Sequence, residues 1–149
     1  MVFSLNFSCY NSIMVKEIRI EVLGKSLYAY KPILAKRGKK LAEILKLKKP
    51  IDLFLIDSET MRKLNRKYRK KNKATNVLSF ATPLNFPSDS LGEVYLDPKY
   101  IEKKDENLTY MMVHGVLHIL GYDHVRTRDR IVMERKEAAL ISKISRTGR

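Results

Sequence analysis

All three histidines of the chain lie within one eleven-residue segment, HGVLHILGYDH, as His114, His118 and His124. The first two are four residues apart, so on a helix their rings project from one face with Cβ atoms roughly 5–6 Å apart, close enough to share an ion. Gly121 suits the left-handed residue that ends a helix, and it lets the chain bring His124 back towards the other two. The spacing predicts three nitrogen ligands around one metal ion.

The donor set favours zinc in a catalytic site. Neutral imidazoles bind zinc at about 2.0–2.1 Å, and three protein ligands leave a fourth tetrahedral position open for water or substrate. A structural zinc site is normally closed by a fourth ligand, often cysteine, and the single cysteine, Cys9, lies far away in the sequence. Nickel, cobalt and manganese are alternative ions for the same ligands. The alternative to a metal site is a set of hydrogen-bonded core histidines.

The segment differs from the metalloprotease signature HExxHxxGxxH at a chemically important position. That signature has a glutamate after its first histidine as general base, whereas this chain has Gly115. A glycine inside a helix costs roughly 1 kcal/mol relative to alanine, so Gly115 indicates either close packing or room for a bulky substrate. Asp123, beside the third histidine, is either an auxiliary base or outer partner of the metal, or a loop-capping residue.

The histidines must be held by a folded scaffold, and the apolar pattern predicts an α+β fold. Strands are predicted at residues 16–23, 51–56, 76–80 and 92–96, and helices at residues 32–47, 57–69, around the histidines, and at 127–144. We expect a single domain, with a roughly four-stranded mixed sheet packed against helices and the metal site on a central helix and the following turn.

Two of these helices carry more specific predictions. The histidine helix is apolar nearly all round, as expected of a buried helix, with Asp105 or Asn107 as its N-cap. In the last helix, we interpret Met133 as a core contact and Glu137 as a solvent-facing charge, in preference to functional roles for these two residues.

The second chemical feature of the chain is its positive charge. It has 30 Lys and Arg against 16 Asp and Glu, a formal net charge of +14 at pH 7, which favours polyanionic partners through counterion release. The candidate RNA-binding residues are clustered in one segment: Lys63, Arg66, Lys67, Tyr68, Lys70, Lys71 and Lys73. Taken singly, most of the lysines also fit a solvated helix face. Arg69 is singled out because a guanidinium can donate two parallel hydrogen bonds to phosphate oxygens, which a lysine ammonium cannot do.

Three segments together resemble the YbeY family of bacterial endoribonucleases and rRNA maturation factors. They are the histidine segment, LNRKYRKKNKATNVLSF at residues 64–80, and LGEVYL at residues 91–96. The resemblance covers residues from about 14 to 140, in matching order and spacing. The chain departs from the family at Lys70, where glycine is frequent, and at Asn72 and Glu93, where aspartate is common.

The resemblance implies a zincin-like fold and a role for each matched residue. It implies that His114, His118 and His124 bind one zinc ion, that His114 and His118 are thereby catalytic, and that Arg69 is the family's functionally important arginine. The implied activity is that of a single-strand-specific, metal-dependent endoribonuclease, a hydrolase that matures the 3′ end of small-subunit rRNA and acts in ribosome quality control. The implied partners are RNA and the small ribosomal subunit with its proteins or an assembly GTPase, in the cytoplasm.

Two other classes of function stay open at this point. One is a non-catalytic ribosome-assembly factor whose metal only holds the fold. The other is a zinc peptidase, which Gly115 and the basic composition disfavour.

Composition sets the remaining bounds. A length of 149 residues with 44% hydrophobic residues fits one domain with a proper core. One cysteine excludes an intramolecular disulfide and fits a reducing cytosol. No stretch approaches the roughly 18 apolar residues of a membrane span. Residues 1–14 are either an extra N-terminal segment, with edge-strand alternation, or precede the true start at Met14.

Overall fold

The computed structural model describes residues 16–146, so the predictions for residues 1–14 lie outside the described part of the chain. The elements follow in the order β1 (Ile18–Val22), a 3₁₀ helix (Lys25–Tyr30), α1 (Lys31–Leu45), β2 (Ile51–Leu55), α2 (Ser58–Arg69), β3 (Val77–Ala81), β4 (Gly92–Leu96), α3 (Pro98–Lys103), α4 (Leu108–Ile119) and α5 (Thr127–Arg146). Among these helices, none combines the length and apolar character that a membrane span requires.

The four strands form one mixed sheet in the order β1-β2-β4-β3. β1 and β4 both run parallel to β2, whereas β3 is antiparallel to β4 and forms an edge. The register pairs Val77 with Leu96 and Ala81 with Gly92. The predicted α+β fold with a four-stranded mixed sheet is therefore confirmed.

The larger core lies between one face of this sheet and helices α1, α4 and α5. Leu53 and Val94 contribute from the central strands, and Met112, Val116 and Leu117 contribute from α4, all of them buried. Helix α4 packs against both sheet and helices, which explains why its sequence is apolar nearly all round. The histidine helix is thus held at the centre of the domain's packing.

Helix α2 packs on the opposite face of the sheet. Ile56, Met61 and Leu78 form a smaller buried cluster there, flanked by Phe54 and Tyr95. This apolar contact turns the basic residues of α2 outward, and it places the C-terminal end of the helix beside β3. The orientation of α2 follows from burying its few apolar side chains.

The structure differs from the sequence predictions in local detail. Helix α3 was not predicted, because six residues begun by a proline are too short for helical periodicity to register. Its cap is the Asp97 carboxylate, which accepts the N–H of Tyr100 at 3.0 Å. Of the two candidate caps of α4, the structure uses Asn107, which accepts the N–H of Tyr110 at 2.9 Å.

Candidate metal centre

Helix α4 and the turn after it bring the three histidines together. His114 and His118 lie one turn apart on the same face of α4. Gly121 has a φ of 95°, in the region that favours glycine, and its N–H donates to the carbonyl of His118 at 3.1 Å. The chain reverses there and returns His124 to the other two rings, as the spacing predicted.

The ring nitrogens converge to the separation expected of ligands to one ion. One ligand atom from each histidine lies within 4.8 Å of the others. The Nε2 atoms of His114 and His118 are 3.1 Å apart, close to the roughly 3.3 Å expected for two nitrogens that are each 2.0–2.1 Å from a tetrahedral zinc ion. His124 is exposed, whereas the other two are half-buried. The donor set therefore fits a metal ion approached from the His124 side.

The second ring nitrogen of His118 is oriented by the backbone. Its Nδ1 lies 3.0 Å from the carbonyl oxygen of Tyr122. Because a carbonyl only accepts, Nδ1 carries the hydrogen and Nε2 presents a lone pair to the site. Burial, followed by the nearness of His114 and His124, lowers the pKa of His118. A neutral imidazole is the form that binds a metal.

The second ring nitrogen of His114 meets a buried carboxylate. Its Nδ1 lies 2.6 Å from Oε1 of Glu137 on α5, and Glu137 is only 2% exposed. The hydroxyl of Tyr110 donates to the other carboxylate oxygen. Burial, together with this hydrogen bond, raises the pKa of Tyr110 to about 12. Carboxylates behind metal-binding histidines typically hold the ring in place and raise its basicity.

The prediction that Glu137 faces solvent was wrong, whereas the core position of Met133 is confirmed at 1% exposure. Glu137 is buried because α5 packs against α4. The spacing of residues within α5 cannot show which of them faces a histidine on another helix. The available signal was the placement of Glu137 one turn after a core residue, on the same face of the helix.

Gly115 lies where α4 packs most closely on the sheet. A Cβ atom there would lie 2.6 Å from Cγ1 of Val94 and 3.1 Å from Cγ2 of Val77. The hydroxyl of Ser79 donates to the Gly115 carbonyl at 3.1 Å. Of the two interpretations of this glycine, the structure supports close packing.

Asp123 caps the turn that carries the third histidine. Its Oδ1 accepts the N–H of His124 at 2.6 Å and that of Val125 at 3.3 Å. These contacts support the loop-capping interpretation. Asp123 also lines the cleft that contains the three histidines.

Arg69 lines the same open cleft as the histidines. The cleft has a volume of about 630 Å³. Besides Arg69 and the histidines, the lining residues come from β3, from the two residues before it and from the turn after α4: Thr75, Asn76, Val77, Leu78, Ser79, Ala81, Gly121, Tyr122, Asp123 and Val125. The three histidines thus share their cleft with a cationic side chain from the end of α2.

The loop after α2 is shaped by two side chains of that helix. The buried Asn65 donates through Nδ2 to the carbonyl of Lys73 at 2.8 Å. The guanidinium of Arg62 donates to Oδ1 of Asn72 at 3.1 Å. Lys70 caps α2 with a φ of 57°, the conformation for which the family's frequent glycine is suited. The loop is therefore held by hydrogen bonds even though Lys70 and Asn72 differ from the residues frequent in the family.

The other candidate RNA-binding residues lie on the exposed surface of α2 and this loop. They are Lys63, Arg66, Lys67, Tyr68, Lys70, Lys71 and Lys73. Tyr68 is 55% exposed and its ring centroid lies 5.0 Å from that of Phe80. Lys63 has an acidic partner, Glu59, at 3.3 Å. Arg69 is exposed as they are, but it differs from them in that it also lines the histidine cleft.

The fold and the site together define an α+β protein with a cluster of three histidines, able to hold a metal ion, on a helix and its following turn. The model of the family described as endoribonuclease YbeY matches residues 26–145. The chain belongs to the endoribonuclease YbeY family, which confirms the resemblance seen in its motifs.

Individual relatives agree with this assignment. The endoribonuclease YbeY of Ehrlichia canis (strain Jake) is 34% identical over 135 residues, which cover 85% of this chain and 77% of that protein. The endoribonuclease YbeY of Neorickettsia sennetsu is 38% identical over 114 residues, covering 68% and 77% of the two chains. The solution structure of TM1509 from Thermotoga maritima is similar with a TM-score of 0.59 and 26% identity, covering 85% of this chain and 88% of that one.

Proposed function

We propose that the protein is a metal-dependent endoribonuclease that cuts single-stranded RNA at its three-histidine centre. The observation that carries the proposal is the convergence of His114 and His118, with Nε2 atoms 3.1 Å apart, in a cleft that Arg69 also lines. The curated relatives are named endoribonucleases, which supports RNA as the substrate.

The proposed ion is zinc, bound by His114, His118 and His124. Three imidazoles suit zinc and leave a position open, and nickel or another divalent metal suits the same donors. When bound, the ion supplies Lewis-acid activation of water and of a phosphoryl oxygen. Glu137 holds the ring of His114 through Nδ1, and the Tyr122 carbonyl holds that of His118 in the same way.

Arg69 has the proposed role of binding the phosphate that is cut. A guanidinium donates two parallel hydrogen bonds to phosphate oxygens, and these strengthen as negative charge accumulates in the transition state. The position of Arg69 in the cleft wall supports this assignment. The exposed basic residues of α2 and its following loop would hold the flanking RNA backbone, and Tyr68 would stack on a base.

The proposed cellular substrate is the 3′ end of small-subunit rRNA, with the small ribosomal subunit and its proteins or an assembly GTPase as partners in the cytoplasm. The family resemblance and the net charge of +14 support this role. A binding-only role in ribosome assembly would need the same charge but no cleavage chemistry.

The test is cleavage of single-stranded RNA and of a small-subunit rRNA 3′-end precursor by the wild type and His118→Ala, purified identically. A duplex of the same sequence is the substrate control. Cleavage by the wild type alone, with the duplex spared, is the expected result. Equal cleavage by both proteins would indicate a contaminating nuclease. Ribosomal-subunit binding without cleavage by either protein would favour the assembly role.

A further inference from the structure

Part of the wall of the histidine cleft is formed by an edge strand of the sheet, β3. Val77, Leu78, Ser79 and Ala81 of β3 all line the cleft. The side chain of Leu78 is 2% exposed and packs into the smaller cluster on the other face of the sheet. Leu78 therefore meets the cleft through its backbone, so peptide groups form part of this wall.

The strand register determines which of these peptide groups face outward. The carbonyl of Asn76 accepts a backbone hydrogen bond at 3.1 Å from the chain after β4, and the N–H of Thr82 donates one at 2.9 Å to the chain before β4. Residues of an antiparallel pair alternate between bonding to the partner strand and pointing away from it. The N–H and C=O groups of Ser79 and Ala81 therefore point away from β4.

Val77 obeys the same alternation. Its N–H is accepted by Oδ1 of Asn76 at 2.8 Å, so this outward donor is satisfied by a side chain. Ser79 and Ala81 lie further along β3. Within residues 16–146, no other strand pairs with the side of β3 that faces away from β4. Their donors and acceptors are thus the strand-edge groups offered to a ligand in the cleft.

The edge is also fixed relative to the metal ligands. The hydroxyl of Ser79 donates at 3.1 Å to the carbonyl of Gly115, the residue that follows His114. The contact between Gly115 and the side chains of Val77 and Val94 leaves no space for a Cβ atom between α4 and the sheet. A group bound at this edge would therefore be held at a set position from the site of cleavage.

We infer that the outward peptide groups of Ser79 and Ala81 hydrogen-bond to the edge of an unpaired base of the substrate RNA. This inference rests on the proposed endoribonuclease function. The N–H and C=O of one extended residue lie on the same side of the strand and offer a donor beside an acceptor, which matches the edge of a base. In duplex RNA the Watson–Crick edges are already paired, so this contact selects single strands.

The surroundings favour a nucleic acid over an extended peptide at this edge. Arg69 lines the same cleft, and the chain carries a net charge of +14. Arg69 would take the phosphate while the β3 edge takes the base, so that backbone and base contacts are divided between two walls of the cleft.

The test removes the base edge from the RNA and, separately, the outward peptide N–H from the protein. The substrates are a short single-stranded RNA, the same RNA with single abasic positions scanned along it, and one with N3-methyluridine in place of uridine. The proteins are the wild type, Ala81→Pro, which lacks the outward N–H, and Ala81→Val, which keeps it. Proline is tolerated at an edge-strand position whose N–H faces outward. Circular dichroism and thermal unfolding check that each variant folds.

With the wild type, an abasic or methylated nucleotide at one position near the cut should lower kcat/KM roughly fivefold for each hydrogen bond lost. With Ala81→Pro, intact RNA should be cut more slowly and the penalty for the modified nucleotide should shrink. Ala81→Val should keep the wild-type penalty, whatever its absolute rate.

Cleavage of modified and intact RNA at equal rates by the wild type would overturn the inference while leaving the endoribonuclease function standing. Since that comparison needs no variant, misfolding of Ala81→Pro would not prevent a decision. If the wild type cuts no RNA, the proposed function fails, and fluorescence anisotropy with intact and abasic RNA then decides whether the edge binds bases. Cleavage of an extended peptide that Ala81→Pro abolishes would assign the edge to a peptide and overturn the inference.

Discussion

The Nδ1 atom of His114 lies 2.6 Å from Oε1 of Glu137, whose side chain is 3% exposed. These residues belong to different helices, α4 and α5, and the contact links a candidate metal ligand to the packing between them. A buried carboxylate is retained only with compensating partners, and here the partners are His114 and Tyr110.

Glu137→Gln is expected to weaken metal binding, because it removes the charge that holds and polarises the His114 ring. Loss of such a partner typically costs 10–100-fold in metal affinity. Competition of the purified protein with a fluorescent zinc chelator measures the change. The matched control is Glu134→Gln, one turn away from the site, whose side chain is 62% exposed and pairs with Arg130 at 3.8 Å. Equal affinity of both variants would exclude a role for Glu137 at the metal.

Arg69→Ala is expected to lower kcat on the order of 100-fold, with a smaller effect on RNA affinity, because its hydrogen bonds strengthen in the transition state. Single-turnover cleavage and fluorescence anisotropy separate the two quantities. Lys67→Ala, on the exposed surface of the same helix, should instead weaken RNA binding with little change in kcat. Matching losses of kcat and affinity in Arg69→Ala would make Arg69 a docking residue.

Gly115→Ala is expected to destabilise the protein by about 1–3 kcal/mol, because its Cβ would lie 2.6 Å from Cγ1 of Val94. Gly38→Ala in α1 is the matched control, because a Cβ there would meet its nearest atoms at an ordinary 3.7 Å. That variant should gain about 0.5–1 kcal/mol from helix propensity. Urea unfolding gives both values, and a stabilised Gly115→Ala would contradict the packing argument.

Lys70→Gly is expected to stabilise the protein by about 1 kcal/mol, because Lys70 has a φ of 57° at the end of α2. Lys67→Gly, within the last turn of the same helix, should cost a similar amount, since glycine is unfavourable there. Thermal unfolding of the two variants should move in opposite directions. A loss of stability in both would show that the left-handed residue carries no strain.

Asp57 is expected to stabilise α2 in a pH-dependent way. Its carboxylate accepts the N–H of Thr60 at 2.8 Å, and hydrogen bonds from Thr60 lower the pKa of Asp57. Because the folded pKa is the lower one, this contribution is fully present above about pH 4, the ordinary value, and is lost as the pH falls through the folded value.

Asp57→Ala should therefore cost about 1 kcal/mol at pH 7 and less at acid pH. Asp57→Asn keeps a capping oxygen that does not titrate, so its contribution relative to Asp57→Ala should not follow the carboxyl titration. Urea unfolding at a series of pH values measures both differences. A cost for Asp57→Ala that stays constant down to pH 2 would contradict the assignment of the titration to this cap.

The sequence alone was sufficient for features that depend on local spacing. The four-residue interval between His114 and His118 places both rings on one face of any helix, and a glycine at position 121 permits the turn that returns His124. The apolar periods predicted the strands and the longer helices, and the motifs identified the family. These inferences need only the geometry of single elements.

Contacts between elements far apart in the chain were decided by the tertiary structure. Glu137 is separated from His114 by 23 residues, and only the packing of α5 on α4 determines which side of α5 meets the ring. Likewise, the pairing of β3 outside β4 places the peptide groups of Ser79 and Ala81 at the cleft. The periodicity of apolar residues in a helix or strand specifies which residues share a face. Which other element that face packs against is selected by the free energy of packing the whole core.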